Sequence, residues 1–237
     1  GDKGNARWVL PSPERVELAR EATTSGKITQ AVCMHTPSRK DRGPKDKRDI
    51  LRAIIKAEGE SLTNAIIFCN RKRDVDIVAK SLKQHGLDAS ALHGDLDQRE
   101  RDQTLIRFAN KSVSVLVATD VASRGLDIDA LDLVINFHLP HDVEAYVHRV
   151  GRTGRAGSKG MAYTFYTDRE AYKIALLEEY LGRDISMEEL PPHDLLEEPV
   201  YNSSMGTLQI DGGKKQKVRP GDILGALTGK EGIEGKQ

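Results

Sequence analysis

The sequence predicts an α/β fold in which a parallel β-sheet carries helices on both faces. Two observations lead there. Residues 65–69 form a short, unbroken apolar run, Ala-Ile-Ile-Phe-Cys, as a strand buried on both faces requires. Around it, strand-like and helix-like stretches alternate along some 150 residues, and the helical stretches at 45–58 and 71–85 each carry an apolar stripe. Alternation of this kind implies a parallel sheet with helices on both faces. The domain is expected to span residues 27–183.

The elements follow in order. Residues 1–26 contain Pro11, Pro13 and the loop-forming Thr23-Thr24-Ser25-Gly26, and read as irregular. Residues 28–35 alternate like a strand. Residues 39–48 are basic and include Gly43-Pro44, so a loop is expected before a helix over 45–58, whose stripe is Ile50, Leu51, Ile54 and Ile55. After the 65–69 strand comes a helix over 71–85 with Val75, Val78, Ala79 and Leu82 on one side and Gly86 as its stop. A strand at 89–92, a helix at 97–109 and strands at 114–118 and 133–137 come next. They are followed by a helix over 142–147, a strand at 160–165 and a helix at 169–181. Residues 184–198 hold six acidic residues, no lysine or arginine, and Pro191-Pro192, and so read as an acidic linker extending to 205. A last segment occupies 206–237.

Composition bounds the chemistry. With 237 residues there is room for one full α/β domain and something smaller. Lysine plus arginine equals aspartate plus glutamate at 36 each, so any basic footprint for a polyanion has to be local. Cys33 and Cys69 lie in apolar stretches without metal-ligand spacing, and read as reduced core thiols of a cytoplasmic protein. No apolar run is long enough to span a bilayer, and no membrane partner is expected. The glycine at position 1 reads as the start of a fragment.

Open α/β sheets bind ligands outside the carboxyl ends of their strands, and the distinctive residues of this chain fall there. After the 65–69 strand comes Asn70-Arg71-Lys72-Arg73. His93-Gly94-Asp95, with Gln98 and Arg101, follows the strand at 89–92. After 114–118 comes Thr119-Asp120-Val121-Ala122-Ser123-Arg124-Gly125-Leu126-Asp127. Taken alone, His93 is read equally well as a satisfied turn histidine and Asp120 as a helix cap. The densest stretch is His148-Arg149-Val150-Gly151-Arg152-Thr153-Gly154-Arg155-Ala156-Gly157, with three arginines at a spacing of three. Guanidinium groups suit phosphate because their donors form a rigid, always charged fork. The interleaved glycines fit a loop that lets a ligand approach its backbone.

These strings resemble, in order, the motifs of DEAD-box RNA helicases, and the domain that carries them looks like that family's second, carboxy-terminal RecA-like domain. The resemblance implies that Arg152 and Arg155 are arginine fingers, reaching across a cleft to the γ-phosphate of ATP. Asp127 would bind the ATP ribose, and His148 and Arg149 would tie the site to the facing domain. Arg71, Gly94, Gln98, Arg101, Thr119 and Gly125 would hold the backbone of one RNA strand without reading its bases. Asp120 and Arg124 would organise their loop through an internal ion pair.

The family's phosphate loop and its Asp-Glu-Ala-Asp motif have no counterpart in this sequence. ATP with Mg²⁺ would therefore be held mainly by a missing amino-terminal RecA-like domain, and the fragment alone is expected to be inactive. Residues 206–237 look like the start of the RRM-like RNA-binding domain appended to DbpA-type helicases. Lys214, Lys215, Lys217 and Arg219 would form its basic patch. About 30 residues are too few for the four-stranded sheet of that domain. Structured RNA such as rRNA, and with it ribosome biogenesis, is the implied setting. The competing reading is a non-enzymatic RNA-binding module that uses the same basic loops.

Overall fold

The computed structural model describes residues 28–34, 43–59, 62, 64–126, 128, 130–154, 160–182 and 185–187. Seven strands, β1 (Ile28–Met34), β2 (Ala65–Phe68), β3 (Ala89–Leu92), β4 (Val115–Ala118), β5 (Leu133–Asn136), β6 (Gly160–Tyr166) and β7 (Ser186–Met187), form one sheet. Its order is β3-β4-β2-β5-β6-β1-β7, and every pairing is parallel. The helices are α1 (Gly43–Glu58), α2 (Lys72–Gln84), α3 (Gln98–Ala109), α4 (Asp120–Ser123), α5 (Val143–Val150) and α6 (Ala171–Leu181). The α/β class and the two-faced parallel sheet are as the alternation predicts.

Why the strands are apolar throughout is visible in the two cores. Along β2, Ile66 and Phe68 enter one core while Ala65 and Ile67 enter the other. Val115 and Val117 of β4 and Leu133 and Ile135 of β5 join Ala65 and Ile67 under α1 and α2, against Leu51, Ile54, Val75, Val78 and Leu82. On the opposite face Leu116 and Val134 pack with Tyr146, Val147 and Val150 of α5 and Leu177 and Tyr180 of α6. Each fully buried Leu, Ile or Val contributes about 1.5–3 kcal/mol relative to exposure, so the sheet is held from both sides. Some of the polar groups inside are paired with one another. The Tyr146 hydroxyl donates to Gln30 Oε1 at 2.7 Å, and Asn136 Nδ2 donates to Thr164 Oγ1 at 3.0 Å across register partners of β5 and β6.

Four boundaries differ from the sequence reading. Helix α1 starts at Gly43, inside the stretch expected to be a loop, because Pro44 lies in the first turn where no backbone N–H is needed. The loop after β4 contains the short helix α4, capped by Thr119 Oγ1, which accepts from the Ala122 N–H at 3.3 Å. Helix α5 continues past residue 147 to Val150 and so carries Arg149. The stretch read as an acidic linker opens with β7, which pairs with Ala31 and Val32 of β1. A two-residue edge strand leaves almost no periodicity to detect. Among the described residues no helix is long and apolar enough to cross a membrane.

Candidate functional site

The carboxyl ends of β2, β3, β4 and β5 bring the distinctive residues to one edge. Arg71, exposed, is the N-cap of α2, and Lys72 beside it reaches Asp95 Oδ1 at 3.0 Å, linking the loops after β2 and β3. His93 is buried, and its Nδ1 accepts from the Asp95 N–H at 3.2 Å. The proton therefore sits on Nε2, which donates to Asp76 at 2.8 Å. His93 thus locks the turn, as its plainer reading had it. Gly94 and Gln98 are exposed; the Gln98 amide donates to Asp102 at 2.8 Å. Asp97 closes a capping box with Glu100 at the head of α3. Arg101 lies half-buried one turn on, its Nε enclosed and without a hydrogen-bond partner.

Arg149 is the centre of the edge, in a different role from the one expected. It is 1% exposed and makes five hydrogen bonds, as many as a guanidinium has N–H groups. Nε and Nη2 grip the two oxygens of Asp120, each at 2.7 Å. Nη2 also donates to Asn70 Oδ1 at 2.7 Å, and Nη1 to the His138 carbonyl at 3.1 Å and Asn136 Oδ1 at 3.4 Å. The Phe68 ring lies 5.2 Å from its Cζ. With every donor spent, Arg149 has none left for ATP or a facing domain, and that expectation is corrected. The partner expected for Asp120 is corrected too, since it is Arg149 and Arg124 stays exposed. His148, its neighbour, is exposed, because adjacent helical residues point about 100° apart.

Arg152 leaves the end of α5 and folds back on the loop after β4. Its Nη2 donates to the Ser123 carbonyl at 2.9 Å, and its Nη1 to those of Ile128 and Leu126 at 3.0 and 3.2 Å. Thr153 hydroxyl donates to the Leu131 carbonyl, and the Leu131 N–H to the Arg152 carbonyl at 3.0 Å. Gly160 makes this fit possible, since a Cβ there would press on Thr153 Oγ1 and come within 2.5 Å of the Gly154 nitrogen. Gly125, at φ +74°, turns the chain between Arg124 and Leu126 in a conformation that side chains disfavour.

Between these elements opens a cleft of about 280 Å³, lined among others by Thr119, Asp120, Arg124, Asp142, His148 and Arg152. Both carboxylates are engaged: Asp120 with Arg149, and Asp142 as the N-cap of α5, accepting from the Ala145 N–H at 2.7 Å. Among the other lining residues, Arg124, His148 and Arg152 carry N–H groups, which suits the phosphate end of a nucleotide. Mg²⁺ needs oxygen ligands, and among the described residues lining this cleft both carboxylates are committed. Burial, with Lys47, Arg149, Arg71 and His141 nearby, presses His138 down to about 3, while burial pushes the Cys69 thiol up to about 12. Sequence reasoning assigned no role to Asn70, His138 or Lys47. Only the position of Asn70 and His138 directly after strands hinted at one.

The comparisons with known proteins follow the same outline. The helicase conserved C-terminal domain family matches residues 46–157, and the DbpA RNA binding domain family matches residues 207–237. The fold superposes on the C-terminal domain of the DEAD-box protein Dbp5 with a TM-score of 0.59 and 30% identity, covering 69% of this chain and 91% of that one. The chain belongs to the DEAD-box helicase family. Its sheet is the RecA-like sheet of the family's C-terminal domain. ATP-dependent RNA helicase DbpA of Escherichia coli K12 is 47% identical over 191 residues, which are 81% of this chain and 41% of that protein. Dbp5 of S. cerevisiae bound to RNA and ADP BeF3 superposes with a TM-score of 0.61 and 32% identity, covering 72% of this chain and 43% of that one. The chain thus spans less than half the length of either. Of the residues the family resemblance singled out, Asp127, Arg155, Lys214, Lys215, Lys217 and Arg219 lie outside the described residues.

Proposed function

We propose that this domain is the carboxy-terminal half of an ATP-dependent RNA helicase, closing on ATP and one RNA strand together with an amino-terminal RecA-like domain. The observation that carries this is the convergence of His148 and Arg152 with Thr119 and Arg124 on one donor-rich cleft at the strand ends. Arg152 and Arg155 are the arginine fingers of that reading. Arg152 exchanges neutral carbonyl partners for phosphate oxygens on closure, a stronger class of hydrogen bond. His148 meets the facing domain, Asp127 the ribose, and Arg149 holds the floor. When bound, ATP supplies the phosphoanhydride whose cleavage reopens the cleft. Residues 27–183 with β7 form the helicase domain, 1–26 the approach from the first domain, and the rest of 184–205 a spacer. The segment 206–237 belongs to an RRM-like module, and its Lys214, Lys215, Lys217 and Arg219 face structured RNA such as rRNA.

The RNA surface comprises Arg71, Gly94, Gln98, Arg101, Thr119 and Gly125. Gly94 supports it: a Cβ there would meet nothing within 4 Å and its φ is not positive, so the fold itself does not demand glycine. Close approach of a ligand does. The enzyme works in the cytoplasm, with Mg²⁺ held by the amino-terminal half. RNA-stimulated ATP hydrolysis by this chain, alone and mixed with the amino-terminal domain of a DbpA-type helicase, tests the assignment. Turnover only on mixing is expected. No turnover in either case, with weak, salt-sensitive RNA binding indifferent to nucleotide, would leave an RNA-binding module instead.

A further inference from the structure

One cationic cluster at the strand ends extends beyond the surface described so far, since only its Arg71 has been given a part in it. Lys47, in the first turns of α1, is half-buried with its Nζ 4.5 Å above the Phe137 ring. Phe137 in turn meets the His138 ring edge-on, the centroids 5.1 Å apart. His138 Nδ1 accepts from the Asn70 N–H at 3.2 Å, which puts the ring proton on Nε2. Among the described residues that Nε2–H has no protein partner. Lys47 and Arg71 likewise make no ion pair among the described residues. Both lie close enough to His138 to disfavour its protonation.

Lys47, Arg71 and the His138 ring thus share one neighbourhood beyond β2 and β5, with neither cation in an ion pair among the described residues. Burial holds the Lys47 ammonium down to about 8, and the nearby Glu170, Cys69 and Asp74 offset this only in part. The nearest carboxylates have other positions: Glu170 accepts from the backbone and hydroxyl of Thr167, and Asp74 lies in the first turn of α2. A cation kept short of water and short of a carboxylate gains most from an arriving phosphate, whose charge the ring donor of neutral His138 then shares. Arg71 makes this position continuous with the loop after β3, through Lys72 and Asp95.

We propose that Lys47, Arg71 and the His138 ring form a phosphate-binding position, and that it takes a phosphodiester of the RNA strand beyond those held by the loops after β3 and β4. This rests on the RNA reading of the domain and extends the path of the strand across the sheet edge to α1. The ligand is a backbone phosphate, so the position contributes affinity and not sequence preference.

Binding of a fluorescein-labelled single-stranded oligoribonucleotide to the full chain, followed by anisotropy against salt, tests it. Lys47→Met keeps the apolar stem on Phe137 and removes the charge. It should weaken binding roughly fivefold and lower the salt slope by about 0.7. Lys47→Arg should bind like the parent at pH 7. It should also lose the parent's decline in affinity between about pH 7 and pH 9, the range in which Lys47 gives up its proton. A purely structural lysine would not move that profile. Far-UV circular dichroism and Tm establish that each variant folds, with Lys47→Gln as the reserve. Isotope-labelled Lys47, titrated by NMR, should move its midpoint up when RNA is added. Movement with inorganic phosphate or ATP but not with RNA would overturn the assignment, as would unchanged affinity and slope in Lys47→Met. Arg101→Ala keeps the two readings apart: if it loses affinity while Lys47→Met does not, the RNA surface stands and the Lys47 position falls.

Discussion

Arg149 and Asp120 face each other fork to fork, Nε to Oδ1 and Nη2 to Oδ2, both at 2.7 Å, and this pair ties the end of β4 to the end of α5. Asn70 shares the same guanidinium, which adds the end of β2. Three segments therefore share one buried cation. Removing the charge leaves Asp120 and Asn70 without their donor, and breaking a buried pair costs about 3–5 kcal/mol. Because Asp120 keeps some contact with water, Arg149→Met should lose about 3 kcal/mol by urea unfolding. Arg149→Lys should recover only part of it, since an ammonium cannot make the fork. An unchanged midpoint in both would remove the hub from the account.

Two glycines separate fold from function. Gly160→Ala drives a Cβ into Thr153 and the Gly154 backbone and should cost about 1–3 kcal/mol. Gly94→Ala adds its methyl to open space and should leave Tm within a degree or so, while RNA affinity falls several-fold. Equal loss of stability in the two variants would contradict the packing described here.

His138 makes stability depend on pH. Its folded value, about 3, lies below the ordinary 6.5 of the unfolded chain, so acid protonates the unfolded state first. Above about pH 6.5 the ring contributes nothing to the pH dependence. As pH falls from there toward 3, stability drains away, on the order of 2 kcal/mol once partial solvent access is allowed for. His138→Gln should flatten that part of the urea-midpoint profile, and a parallel profile in the variant would assign the loss to carboxylates.

Arg152→Ala, in the chain joined to an amino-terminal helicase domain, should abolish RNA-stimulated turnover, a loss of about 10³-fold or more for an arginine finger. RNA affinity should change little, because the variant's other loops are untouched. Unchanged turnover would remove the finger role and leave Arg152 as a brace for the Ser123–Ile128 carbonyls.

Much of this was legible along the chain. Unbroken apolar strands, single-stripe helices and the run of glycines and arginines each report a local requirement, and each depends on nearby residues only. Thus β2, α2, α3 and β4 lie within two residues of where periodicity places them, and His93 behaves as a turn histidine does. The acidic composition of 184–198 hid β7, whose two residues gain their pairing only from β1.

The sequence by itself determined the parallel α/β architecture, the family and the edge of the sheet where chemistry gathers, because hydrophobic period and motif spacing are written residue by residue. What each charged group does there was decided by the tertiary structure. Arg149 and His148 are neighbours in one motif, yet one is buried with all its donors spent and the other exposed, a difference set by the helix face each occupies. Lys47 gains its surroundings from Phe137 and His138, some 90 residues away. Burial and electrostatic pairing depend on distance in space, and only the folded sheet brings these residues within reach of one another.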